Sequence, residues 1–284
     1  MRFGITVVMV SYQTGPYLLD ALKAAAVDPD ITEIILVDNG NSSEDRKRLH
    51  HVAIELGRVR LLQGHGNVGF AKACNYGAAL AQTTHLLFLN PDAVIEVGAA
   101  KAMQDAAQSL SSPWIAGGLI VDDHGNELRG SRRGVLNLRS ALSAFTPLHR
   151  LPRMPKFNRQ DEPLPSAPTP TPTTSGAMLM TDRASFLALG GFDEGYFLHV
   201  EDIALCRTAR DLGGDVVIVS QARALHHGAT SNVSNWMVEW HKLRGFLRYF
   251  WTDKSAMAPV KTILIAPLIA GAIFGRALWK SVKR

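Results

Sequence analysis

Apolar and polar positions alternate along the first third of this chain in two repeating rhythms. "ITVVMVSY" (residues 5–12) is an unbroken apolar run rich in β-branched residues, as expected of a strand buried on both faces. "PYLLDALKAAA" (16–26) then spaces its apolar residues for a helix, with Pro16 suited to the first turn. "EIILVDNG" (33–40) reads as a second strand ending in turn residues. "SSEDRKRLHHVAIEL" (42–56) opens with a serine cap and first-turn acids, so it is predicted helical. "RVRLL" (58–62), a glycine turn, the small-residue helix "FAKACNYGAALAQ" (70–82) and "HLLFLNPDA" (85–93) repeat the alternation. Such strand–helix units imply a mostly parallel sheet with ligands at the carboxyl ends of its strands.

The glycine turn raises a specific question. Gly64, Gly66 and Gly69 have the G-x-G-x-x-G spacing of a dinucleotide site, and Asp92 supplies an acid downstream. A dinucleotide fingerprint belongs after the first strand, with an acid closing the second. Here the glycines follow the third strand, and the first ends in Ser11-Tyr12-Gln13 with no glycine loop. That order argues against a dehydrogenase.

A chain of 284 residues suits one large globular domain or two small ones. Its two cysteines, Cys74 and Cys206, are too few for a disulfide framework, and "MRFGITVVMVSY" lacks the cleavage site of a signal peptide. Both point to a cytoplasmic protein. The net charge of +5 is unevenly placed: residues 241–284 hold nine Lys/Arg and one acid, Asp253, and residues 129–159 hold eight Lys/Arg and no acid. Two basic zones predict anionic partners at two places, with an ordinary solvated surface as the alternative. The zone at 129–159 lacks an interleaved aromatic platform, which argues against nucleic acid.

The ordered set "VSYQTGPYLLDAL", "ILVDNGNSS", "GNVGFAKACNYG", "FLNPDA", "SGAMLMTDRASFLALGGFDEGYF", "HVEDIALCRTARDLG" and "LHHGATS" resembles the family 2 inverting glycosyltransferases of the GT-A fold, rhamnosyltransferase-like members especially, over residues 3–250. The resemblance implies an α/β fold with a Rossmann-like, mostly parallel sheet flanked by helices, followed here by a helical tail. In it the glycine turn helps enclose a nucleotide-sugar. It implies donor contacts from Ser11, Asp38, Asn67, Gly69, Lys72, Asn75, Asn90 and Asp92, with Asp38 accepting from the base of a uridine or thymidine diphosphate-sugar. Turn chemistry alone would also explain Asp38-Asn39-Gly40.

"NPD" (90–92) stands where relatives carry the acids that hold a divalent cation, so Asp92 is the implied ligand for Mg²⁺ or Mn²⁺, with Asn90 replacing the first acid. His226 is implied as a further ligand, His227 in reserve; both are equally consistent with structural histidines. The acidic pair Glu201 and Asp202 is implied to supply the catalytic base, Asp202 in preference. Acids at a helix start also favour its dipole, and an acid that many relatives carry at the position of Ala204 is missing. Asp193 and Glu194 are candidate acceptor contacts, or capping acids of a turn.

Within a domain spanning 1–235, residues 122–175 form a basic, proline-rich insertion expected to be extended and mobile, a candidate lid. Residues 236–284 form a basic tail in which Trp236, Trp240, Leu243, Leu247 and Phe250 recur at helical spacing. Its uncharged stretch, Thr262 to Gly275, is 14 residues with Pro267 inside, which predicts an in-plane membrane anchor rather than a span. Packing on the domain or on a sister subunit is the alternative. The whole predicts a metal-dependent hexosyltransferase, peripheral on the inner face of the cell membrane. It would move a hexose, L-rhamnose by resemblance, to a glycan or polyprenyl-diphosphate-linked acceptor in cell-surface polysaccharide synthesis. A non-catalytic nucleotide-sugar binder and a nucleic-acid-binding protein are the other classes weighed.

Overall fold

The structure, a computed structural model, describes residues 2–13, 15–146, 154–227 and 233–282. Its first half follows the two rhythms: β1 (Arg2–Ser11), α1 (Tyr17–Val27), β2 (Ile31–Asp38), α2 (Ser43–Leu56), β3 (Val59–Leu62), α3 (Phe70–Leu80), β4 (Thr83–Leu89), the short β5 (Ala93–Ile95) and α4 (Ala99–Ala107). The serine cap is present, with Ser42 accepting from the Asp45 amide. Because strand side chains alternate, β1 feeds two separate cores. Ile5, Val7 and Met9 pack with Leu18 and Leu22 of α1 and Met103 of α4. Val8 and Val10 pack with Ala71, Cys74 and Ala78 of α3. A three-layer α/β/α arrangement follows.

Next come β6 (Ile115–Val121), β7 (Arg132–Arg133), α5 (Leu138–Phe145), β8 (Thr169–Pro170), β9 (Thr173–Thr174), β10 (Met178–Asp182), α6 (Arg183–Ala188), α7 (Glu201–Asp211) and β11 (Val216–His226). The sheet runs β3-β2-β1-β4-β10-β6-β11-β5, with β8 beside β11. β1 to β4 are parallel to their neighbours, but β10 is antiparallel to both β4 and β6. The sheet is thus largely parallel, with β10 running against it near the centre. The consequence for function is topological: β10 starts at the edge where β1, β2 and β4 end, so the approach to β10 joins their carboxyl ends.

The insertion carries short elements of its own, β7, α5, β8 and β9. Its described residues are pinned by Arg132, buried with Glu127 in an ion pair of 2.6 Å and donating to the carbonyls of Arg159, Glu162 and Pro163. β7 pairs with β9 in a second, two-stranded sheet. Residues 147–153 of the insertion lie outside the described residues.

The tail forms α8 (Asn235–Trp251) and α9 (Ala258–Val282). Pro267 sits inside α9 instead of ending it, so the helix is 25 residues long. Counting across Lys261, its stretch Ala258–Gly275 is long and apolar enough to cross a membrane by length and composition, which the shorter uncharged run had excluded. One stripe of α9 is already used by the fold: Ile265, Ile269 and Ile273 are buried with Leu243, Phe246 and Phe250 of α8 and Ala141 of α5. Val200, Ile203 and Ala204, around the start of α7, belong to the same cluster. The tail and the acidic pair therefore share one core.

Candidate functional site

The carboxyl edge of the sheet gathers most of the predicted residues, and the first group lies at β1 and β2. Asp38 is 3% exposed. Its Oδ1 accepts from the amides of Gly40 and Asn41 and from the Asn41 side chain at 2.8–3.1 Å, so the turn expected of Asp-Asn-Gly is formed. Its Oδ2 accepts from Gln63 at 3.2 Å. The ring of Tyr12 lies against Gly40, beside this carboxylate. Tyr12 and Gln63 are side chains that the sequence reading did not select.

Ser11 is fully buried, and its hydroxyl accepts from Asn41 at 2.7 Å. It braces the turn from beneath. Asn39, also unselected, ties β2 to the glycine turn: it donates to Asn67 and to the Gly69 carbonyl and accepts from the Val68 amide. Asn67 is occupied by that network. Gly69 has φ +87, and a Cβ there would lie 2.8 Å from the Phe197 carbonyl oxygen. The last glycine of the motif thus serves a close approach of two loops, sealed by the Phe70 amide donating to Phe197 at 2.7 Å.

Across that seam the expected donor contacts Lys72 and Asn75 meet the expected acceptor contacts. Asn75 exchanges hydrogen bonds with the Phe192 backbone at 2.8 and 2.9 Å and donates to Glu194 at 3.2 Å; Lys72 pairs with Glu194 at 3.5 Å. Asp193 makes a two-pronged pair with Arg248 of α8 at 2.8 and 3.0 Å. All four side chains brace the loop 190–197. Asp193 and Glu194 hold this turn while their side chains stay exposed.

Asn90, Asp92 and His226 converge. The Nε2 of His226 lies 3.0 Å from Oδ1 of Asp92 and 3.3 Å from the Asn90 side-chain amide. The convergence follows from register, because β11 pairs His226 with Ala93, the residue after Asp92. His227 instead stacks on Tyr17 at 3.9 Å between ring centroids. Residues 228–231, the end of "LHHGATS", lie outside the described residues. Among the described residues no group of three or more His, Cys, Asp or Glu side chains forms a metal cage. A carboxylate and an imidazole at one point still suit a hard divalent cation, provided that phosphate oxygens complete its shell.

The acidic pair opens α7 from a tight turn in which His199 and Val200 have φ +67 and +75. The two acids differ sharply. Oδ2 of Asp202 accepts from Arg133 at 3.0 Å and from the Gly176 amide at 2.9 Å, and Oδ1 accepts from the Ile203 amide at 2.8 Å. Gly176 is close-packed here, since a Cβ would lie 3.1 Å from that of Asp202. Glu201 has a buried Oε2 with no hydrogen-bond partner. Burial first, and the Asp202 carboxylate second, push Glu201 up to about 8, so it is protonated at neutral pH. His199 is pushed down to about 4, first by desolvation and then by Lys242, so its ring is neutral.

The two acidic centres are joined through the backbone. The Asn90 amide donates to the Ala177 carbonyl at 2.9 Å, and the preceding Gly176 donates to Asp202. The arrangement can hold an anionic, cation-bearing ligand at one end and accept a proton at the other.

Known proteins resemble the chain in sequence and in fold. The profile of Glycosyl transferase family 2 matches residues 6–183. An N-acetylglucosaminyl-diphospho-decaprenol L-rhamnosyltransferase of Mycobacterium tuberculosis is 30% identical over 246 residues, 80% of this chain and 77% of that protein. Rhamnosyltransferase WbbL of Escherichia coli is 23% identical over 254 residues, 86% of this chain and 92% of that one. Among solved structures, GalNAc-T7 with UDP, GalNAc and Mn²⁺ superposes with a TM-score of 0.66 at 17% identity, covering 89% of this chain and 49% of that protein. Staphylococcus aureus TarS 1–349 with UDP-GlcNAc gives 0.56 at 14% identity, covering 96% and 73%. The structural likenesses establish a GT-A fold.

Proposed function

The chain belongs to glycosyl transferase family 2, and from that premise we propose that it moves a hexose, L-rhamnose in the first instance, from a nucleoside diphosphate to a hydroxyl of a lipid-diphosphate-linked N-acetylglucosamine. The observation that carries this reading is the backbone link between the Asp92–His226 pair and Asp202, which sets a diphosphate end and a proton-accepting end on one sheet edge. The sugar and acceptor are suggested by the mycobacterial relative, whose name specifies both.

The reaction is a single displacement. The acceptor oxygen forms a bond to the anomeric carbon as that carbon's bond to the diphosphate oxygen breaks, and the leaving electrons stay on the nucleoside diphosphate. One displacement inverts the anomeric centre. Asp202 takes the acceptor proton, because it is the acid of the pair that is held by charged and backbone donors rather than left protonated. Asp38 and Gln63, with Tyr12 beside them, present an acceptor, a donor and an aromatic ring to a pyrimidine base. Asp92 and His226 would hold a divalent cation, which when bound neutralises charge on the departing diphosphate.

The tail supports the lipid-linked acceptor. Opposite its buried stripe, α9 exposes Val260, Ile263, Leu264 and Leu268, and α8 exposes Trp236, Met237 and Trp240. With the basic excess of residues 241–284, this describes a helical hairpin lying on an anionic bilayer at the cytoplasmic face.

The test is a screen of nucleotide-sugars against lipid-linked N-acetylglucosamine, read by released nucleoside diphosphate. If no donor tried gives release while nucleotide-sugar binding persists, the enzymatic reading falls in favour of a nucleotide-sugar binder. For the cation, Asp92→Asn is expected to weaken nucleotide-sugar binding about tenfold or more in Mg²⁺ or Mn²⁺, the loss of one charged ligand. In EDTA the same change should matter little. An equal loss in both conditions removes the metal role.

A further inference from the structure

Arg132 and Arg133 are neighbours on a two-residue strand, so their side chains leave on opposite faces. The two faces do different things. Arg132 is 3% exposed and satisfied by Glu127 and three backbone carbonyls; it staples the insertion to itself. Arg133 reaches out of the insertion to Oδ2 of Asp202 at 3.0 Å. Its backbone is gripped on both sides: it pairs with Thr173 of β9 and bridges to Asn158, and the next residue, Gly134, donates to the Phe157 carbonyl at 2.7 Å. β9 leads directly to Gly176, whose amide reaches the same carboxylate oxygen. An arginine from the insertion and an amide from the core thus clamp one oxygen from two directions.

We propose that Arg133 is a positioning residue for glycosyl transfer: it pins one oxygen of Asp202 and so turns the other toward the acceptor hydroxyl. This rests on Asp202 being the base. The need for such a residue comes from Glu201. Two adjacent, largely buried carboxyls do not both ionise readily, and a guanidinium in direct contact with one of them distinguishes the pair. Arg133 makes its ion pair with Asp202; it acts on Glu201 only through its field, and the buried Oε2 of Glu201 has no hydrogen-bond partner among the described residues. Among the described residues His199 and Cys206 also interact with Asp202, and both are neutral at pH 7, the thiol being pushed up to about 12 by burial. The insertion is then more than a cover: one of its side chains holds an oxygen of the reacting acid.

The test compares pH profiles of kcat/KM for the wild type, Arg133→Gln and Arg133→Lys, with donor affinity and melting temperature measured alongside. Arg133→Gln removes a positive charge 3.0 Å from the Asp202 carboxylate. The acidic limb should therefore move upward by about one pH unit or more. At a pH on that limb Arg133→Gln should be roughly tenfold slower, recovering as pH rises, while donor affinity is unchanged. Arg133→Lys keeps the charge and should restore most of the limb. A limb that stays in place, with loss uniform across pH or confined to KM, overturns the proposal. Asp202→Asn in the same assay separates the two ideas: if it is active, the base assignment falls and this proposal with it. If it is inactive while the Arg133→Gln limb has not moved, only the role of Arg133 falls.

Discussion

Asp202→Asn is expected to lower turnover by about 10²-fold or more, with donor affinity kept within a few-fold. The change is isosteric and keeps an oxygen for the Arg133 and Gly176 donors, so the fold around α7 should persist. What disappears is the capacity to take a proton. Glu201→Gln is expected to leave turnover near wild type at pH 7, because Glu201 is already protonated there. Above pH 8 the ionisation of Glu201 places a second negative charge beside Asp202. Its replacement should therefore remove a change in rate that the wild type shows in that range. Steady-state kinetics of both variants, with donor binding measured separately, check this. A slow Glu201→Gln and a near-normal Asp202→Asn would reverse the assignment.

The second large effect concerns the bilayer. Ile263→Glu combined with Leu264→Glu is expected to release the full chain from anionic vesicles by about two decades in partitioning. Each apolar side chain contributes about 1.5–3 kcal/mol on leaving water, and each tenfold corresponds to about 1.4 kcal/mol. Both residues are exposed, at 67% and 64%, so the hairpin core is not touched. Donor binding should be unchanged. Flotation with phosphatidylglycerol-containing vesicles and with neutral ones gives the readout, and high salt should weaken attachment only partly. If wild-type chain ignores both vesicles, the exposed stripe belongs to another occupant. A dimer that this double variant splits would identify that occupant as a second copy.

How far the residues foretold this depends on whether a signal is local. β1, α1, β2 and α2 were legible because β-branched runs and a serine cap act within a few residues of themselves. The position of β10 was not, since an antiparallel strand between β4 and β6 leaves the same apolar run as a parallel one. The meeting of Asp92 and His226 depends on β11 pairing with β5 across the chain; only the order of motifs hinted at it. The long-range partners of polar residues were the least legible. Ser11, Asn75, Asp193 and Glu194 look like ligand contacts in sequence, yet each is satisfied by a partner at least 25 residues away. Arg133 had no local signal at all, standing among seven other basic residues of its segment. Only the pairing of β7 with β9 selects it.

The shared core of α7, α8 and α9 has a consequence for how the protein is made. Ile265, Ile269 and Ile273 complete the cluster that encloses Val200, Ile203 and Ala204 beside the acidic pair. During translation the sheet can assemble early, since its strands end at His226. The surroundings of Asp202 cannot be finished until synthesis has passed Ile273. A nascent chain still on the ribosome would hold a formed nucleotide-facing edge and an unformed proton acceptor. Competence for transfer would therefore arrive at the same moment as the surface by which the chain reaches its lipid, and a polypeptide stalled before α9 would bind donor without consuming it.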